Sequence, residues 1–179
     1  CMTMLAMPWI ATGSFVYQSS ISSSKEWGPY VIAQSFMAYS ILSVITLFIS
    51  GFLIDKFSSR KLLIYMNIPL LFGTIVLYYF DVPLSSFVFF GLVGVTNGLA
   101  NVLGSSTWAE IYGVKYIGSI KALTTALMVF STAFGTALFG FLIDIGFSIE
   151  DIAVVSGTYI FGSIILLYLV KNKLNPHYL

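Results

Sequence analysis

Charge is what this sequence has least of. Of its 179 residues only 8% are Asp, Glu, Lys or Arg, against roughly 25% in an ordinary soluble domain. So few charges cannot cover a water-exposed surface, and the mean hydropathy of +0.96 makes lipid the solvent for most of the chain. A net charge of +1 gives no electrostatic case for a nucleic-acid partner. The single cysteine, Cys1, excludes an internal disulfide and any cysteine-based metal spacing. The single histidine, His177, lies in the C-terminal tail and reads as solvated. Serine-protease chemistry inside a membrane needs an embedded histidine as base, and a zinc protease needs His-Glu-x-x-His. Both are missing, so the chain reads as no enzyme, with no cofactor and no metal. Charge is also missing from the middle of every apolar run. Buried ionisable groups commonly mark ion or proton pathways, and none of these runs carries one.

What is present is a series of long apolar runs. Uncharged stretches occupy 1–24, 27–54, 62–80, 82–109, 122–143 and 152–170. A membrane-spanning helix needs about 20 residues, so each run holds one helix and none holds two. The runs do not alternate apolar with polar residues, which argues against a barrel. The spacing predicts an all-α membrane protein with helices near 2–20, 29–53, 62–80, 84–108, 120–143 and 151–170, one unit over 1–179. Pro29 suits the first turn of the second helix. Asp81-Val82-Pro83 predicts a tight hairpin between the third and fourth helices.

Loop charges set an orientation. Lys56, Arg60, Lys61, Lys115, Lys121, Lys171 and Lys173 fall on one side of the predicted membrane and only Lys25 on the other. Basic loops stay cytoplasmic, which places both ends of the unit in the cytoplasm. Gly51-Phe52-Leu53-Ile54-Asp55 recurs as Gly140-Phe141-Leu142-Ile143-Asp144, 89 residues on. An offset of three helices inverts the topology, so the pattern reads as a 3+3 inverted repeat.

Gly51-x-x-x-Asp55-Lys56-x-x-x-Arg60-Lys61, in a short basic loop, resembles the signature loop of the major facilitator superfamily. Ser59 stands where that signature usually has a second glycine, a departure common in its C-terminal copy. Trp108-Ala109-Glu110-Ile111-Tyr112-Gly113 is similar to the loop between helices ten and eleven of bacterial members. The resemblance therefore implies helices seven to twelve of a twelve-helix carrier in a bacterial inner membrane. Its partners would be lipid, a small-molecule substrate and an N-terminal six-helix half. It also has some flavour of the monocarboxylate and organic-anion branches. The chain begins with Cys inside an apolar stretch and reads as a fragment. The alternative is a six-helix permease subunit or a channel, although no filter loop or charged ring is visible.

Within this frame Gly51 is expected to let two helices approach closely. Asp55 and Glu110 are expected to control the cytoplasmic gate, and Lys56, Arg60 and Lys61 to anchor the loop at the anionic leaflet. Gly94, Asn97, Gly98, Asn101, Gly104 and Ser105 fall on one face of the fourth helix. Asn97 and Asn101 on that face are either cavity lining or glue between helices. Gln18, Gln34 and Tyr39, with Trp9, Thr12 and Tyr17, are further substrate-contact candidates. Thr124 and Ser131 are expected to bond carbonyls of their own helix. Asp144, Glu150 and Asp151 are expected to cap the sixth helix or to stay in water.

Overall fold

The computed structural model describes residues 2–28, 30–113 and 115–170. The readings of Cys1, Pro29, Lys171, Lys173 and His177 lie outside them. The described residues form helices α1 (Met2–Val16), α2 (Gln18–Ser24), α3 (Val31–Phe57), α4 (Ser59–Leu63), α5 (Ile68–Tyr79), α6 (Pro83–Tyr112), α7 (Ile117–Asp144) and α8 (Ile149–Val170). Five stretches are long and apolar enough to cross a bilayer: Val31–Phe57, Ser59–Tyr79, Pro83–Tyr112, Ile117–Asp144 and Ile149–Val170.

Two of the predicted helices are interrupted. The first bends at Tyr17 (φ −96°, ψ 24°), leaving α1 at 15 residues, short of a span by itself. The Tyr17 amide still donates to the Gly13 carbonyl and the Ile21 amide to that of Tyr17, so the chain turns without unwinding. The third breaks over residues 64–67, just before Pro69. Proline has no N–H for the carbonyl four residues back and its ring crowds that position. Pro69 instead sits in the first turn of α5, where its missing donor costs nothing. The break buries Asn67, whose amide donates to the Thr3 carbonyl at 2.7 Å. The predicted hairpin is present, since α5 ends at Tyr79 and α6 begins at Pro83.

Helix packing follows a pattern of exchange. The most extensive contact is α3 on α6, and α1 lies on α7 in the same way. Likewise α5 packs on α6 and α1 on α8, while α5 meets α8 and α1 meets α6. Glycines set the two long crossings. A Cβ on Gly98 would lie 2.8 Å from the Thr46 Cβ and 2.6 Å from the Ser43 carbonyl oxygen. A Cβ on Gly135 would lie 2.6 Å from the Trp9 Cα. Backbone meets backbone at both places, as small residues allow in membrane helices. Gly51 makes no such approach within the chain, because the space beside it is open. The expectation for it is not met among the described residues, where the close crossings belong to Gly94, Gly98 and Gly135.

An aromatic cluster fills the centre. Phe15 meets Tyr39, Phe36 and Phe90 at ring-centroid distances of 5.2, 5.5 and 5.9 Å. Trp9 is buried and packs edge-on against Tyr159 and Phe139, so its place here is the core. Ser131 corrects its expectation too, since its hydroxyl donates to the Leu5 carbonyl of α1 at 3.0 Å. Thr124 behaves as expected and donates to Ile120 in its own helix.

Candidate functional site

A recess of about 370 Å³ opens between α1, α6 and α7. Pro8 of α1, Asn101 and Ser105 of α6, and Lys121, Thr125 and Thr132 of α7 all line it. Lys121, Thr125 and Thr132 recur at helical spacing, so one stripe of α7 faces the space. On α6 the polar face divides. Gly94 and Gly98 are closed against α3, whereas the space beside Gly104 is open.

The two asparagines on that face therefore differ. Asn97 donates from its amide to the Ser43 hydroxyl of α3 at 2.9 Å and belongs to the helix contact. Asn101, one turn on, is exposed. Its amide donates to the Asn97 carbonyl at 2.9 Å and to the Asn97 side-chain oxygen at 3.2 Å. Its own Oδ1 points to no partner among the described residues.

The remaining candidates do not converge on this recess. Gln18 lines a different one, about 600 Å³, between α2 and α3 with Ser22, Ser23 and Trp27. Gln34 is exposed on α3 and lines neither recess. Tyr39 is half-buried against Phe15, with its backbone under Gly94. Tyr17 has its hydroxyl against Gly140.

Each end of the bundle carries a polar clasp. At one end Glu110, near the end of α6, accepts from the hydroxyl of Ser58 at 2.6 Å, from that of Ser59 and from the Arg60 amide at 3.2 Å. The Arg60 guanidinium donates to the Glu110 carbonyl. Ser58, at φ 73° between α3 and α4, turns the chain sharply enough to present these donors. Asp55 and Lys56 lie exposed at the end of α3, and Lys61 is exposed on α4. Lys56 sits 5.4 Å from the Phe57 ring centre. Asp55 makes no side-chain hydrogen bond or ion pair among the described residues.

At the other end Lys25 is buried, with 1% of its side chain exposed, between Asp81 at 2.5 Å and Glu150. Burial alone would depress its pKa. The hydrogen bonds and negative charge of Asp81 and Glu150 outweigh that and raise it above the ordinary lysine value. The Trp27 indole donates to the Asp81 carbonyl at 2.6 Å. Asp151 and Ser148 cap α8 reciprocally. The capping role expected of the acidic group thus falls to Asp151, while Glu150 is an ion-pair partner.

The sequence reading missed this second clasp and the place of Lys121. Lys121 had counted only as a loop charge. The signal available was its spacing of four and eleven residues from Thr125 and Thr132.

The Major Facilitator Superfamily model matches residues 1–177. This chain belongs to the major facilitator superfamily. Comparison with curated proteins and with solved structures gives no match. Superfamily members are transporters and not enzymes. With its apolar helices, this major facilitator chain is an integral membrane protein, and the recess between α1, α6 and α7 is its candidate solute wall.

Proposed function

We propose that the chain is the C-terminal six-helix half, helices seven to twelve, of a secondary carrier that moves a small solute by alternating access. One observation carries the reading. The crossing of Gly98 with Thr46 and that of Trp9 with Gly135 occupy the same pair of positions displaced by 89 residues, with the partners exchanged. The repeated Gly-Phe-Leu-Ile-Asp segment has the same offset, and the helix contacts pair off in the same sense. That supports two inverted three-helix units, in which α1 with α2 makes the first span and α4 with α5 the third.

In such a carrier one half rocks against another about a midplane site. The α1–α6–α7 recess forms this half's wall of that site. The other wall comes from an N-terminal half. The Arg60 end is cytoplasmic, by the distribution of basic loops, in a bacterial inner membrane. Asp55 and the basic loop meet the opposing half when the cytoplasmic side closes, and Glu110 holds that loop in place.

The test is flux through the complete carrier in proteoliposomes. Saturable uptake accelerated by unlabelled solute on the far side supports the proposal. Ohmic conductance without exchange acceleration overturns it and turns the reading to a channel.

A further inference from the structure

We propose that the recess between α1, α6 and α7 recognises an anionic group of the solute, with Lys121 as the side chain that meets it. This rests on the carrier reading and adds to it the chemical class of the substrate. The observation is a set of unused donors facing one space. Lys121, Thr125 and Ser105 line the recess together, and the Lys121 ammonium makes no ion pair or hydrogen bond among the described residues. Hydroxyls on membrane helices ordinarily donate to the carbonyl four residues back, as Thr96, Ser106, Thr124 and Thr136 do here. Ser105 and Thr125 do not, and neither makes any other hydrogen bond among the described residues.

No Asp or Glu lines the recess. The nearest carboxylate in sequence, that of Glu110, is committed to Ser58, Ser59 and the Arg60 amide. Trp108 also lines the recess, and its indole N–H is buried with no acceptor among the described residues. An ammonium with three donors and two free hydroxyls suits a carboxylate or a similar oxyanion. A lysine one turn inside a helix end also serves as a headgroup anchor when it faces lipid. Lys121 instead shares its recess with α1 and α6.

The test reads charge inside the recess. In the complete carrier, with native cysteines replaced, Thr125→Cys places a thiol one turn from Lys121. In neutral phosphatidylcholine nanodiscs its rate of modification is measured with a sulfonate-bearing and a trimethylammonium-bearing methanethiosulfonate. A single charge at that spacing predicts that Lys121→Gln lowers the anionic-to-cationic rate ratio roughly three- to tenfold. Lys121→Glu lowers it further and Lys121→Arg preserves it. A ratio that moves by less than about 1.5-fold in both the Gln and Glu variants overturns the proposal.

Uptake of labelled two- to four-carbon carboxylates and their amides then separates this proposal from the carrier reading. Exchange-accelerated uptake restricted to neutral or cationic solutes, and unaffected by Lys121→Gln, sinks the anion site and leaves the carrier standing. Conductance without exchange sinks the carrier, while the modification ratio still decides what Lys121 does.

Discussion

Asn97 and Asn101 show what one residue's neighbours decide. Helical periodicity puts both on one face of α6, and no pattern in the sequence separates them. The separation comes from the packing, in which Asn97 meets Ser43 of α3 and Asn101 lines the recess. Asn97→Ala removes the bond to Ser43 and is expected to lower stability by about 0.5–1.5 kcal/mol, the usual worth of such a bond between membrane helices. Denaturant or thermal unfolding in detergent measures it. Asn101→Ala is expected to leave unfolding unchanged and to raise the solute concentration for half-saturation several-fold. Equal effects of the two substitutions on unfolding would refute the division.

Lys25 is the other residue whose role needed the fold. In sequence it is a lone cation in a serine-rich loop, and its partners lie 56 and 125 residues away. Because its pKa is raised in the folded state, its contribution is complete below the unfolded value of about 10.4. That contribution is lost as pH rises through the higher folded value. The melting temperature is therefore expected to fall above about pH 10.4 through this group, and Lys25→Met is expected to abolish that component. At neutral pH Lys25→Met leaves Asp81 facing Glu150 without a cation, so it is expected to lower the melting temperature. Adding Glu150→Gln to it relieves part of that loss, because one of the two uncompensated charges is gone.

At the scale of the elements, apolar run length anticipated the five stretches long enough to cross a bilayer, since a span needs about 20 apolar residues whatever its neighbours. It gave the first run as one helix, where α1 and α2 stand. The interruption at 64–67 falls inside the helix expected over 62–80; Pro69 was its available mark and went unread. The bend at Tyr17 had no such mark, because no proline or glycine stands there. The crossings were half legible. Gly94 and Gly98 read as a small-residue seam, but nothing indicated Trp9 as the surface that Gly135 meets. Gly98→Val and Gly135→Leu each force side-chain atoms into backbone less than 3 Å away. Each is expected to cost at least the 1–3 kcal/mol of an overpacked core and to cut the yield of folded protein. Gly104→Ala, beside open space, is expected to fold as the parent does and also to gain helix propensity. Size-exclusion profiles of the three variants provide the check. A monodisperse Gly98→Val protein would contradict the packing described.

At the scale of the whole molecule, the two acidic residues read as gate residues, Asp55 and Glu110, have different work. Glu110 is bound within the chain, tying the end of α6 to the start of α4. Asp55 is exposed at the end of α3 and makes no bond among the described residues. The sequence grouped the two as gate residues because both lie in basic connections at one end, and only the turn at Ser58 sends the hydroxyl donors to Glu110 alone. If the proposed halves rock, a residue idle within one half and placed at its cytoplasmic rim is available to the other half. Its bonds then form in one state of the cycle and not in the next. Such differential contacts bias a two-state equilibrium, typically by 1–3 kcal/mol or roughly 5- to 150-fold. Asp55→Asn is accordingly expected to slow exchange-accelerated uptake by about fivefold or more without changing membrane insertion or melting temperature. Glu110→Gln is expected to lower the melting temperature first, because its partners lie in its own chain. Unchanged transport in Asp55→Asn, or a loss of stability equal to that of Glu110→Gln, would show that Asp55 is a structural or solvated charge and that gating lies elsewhere.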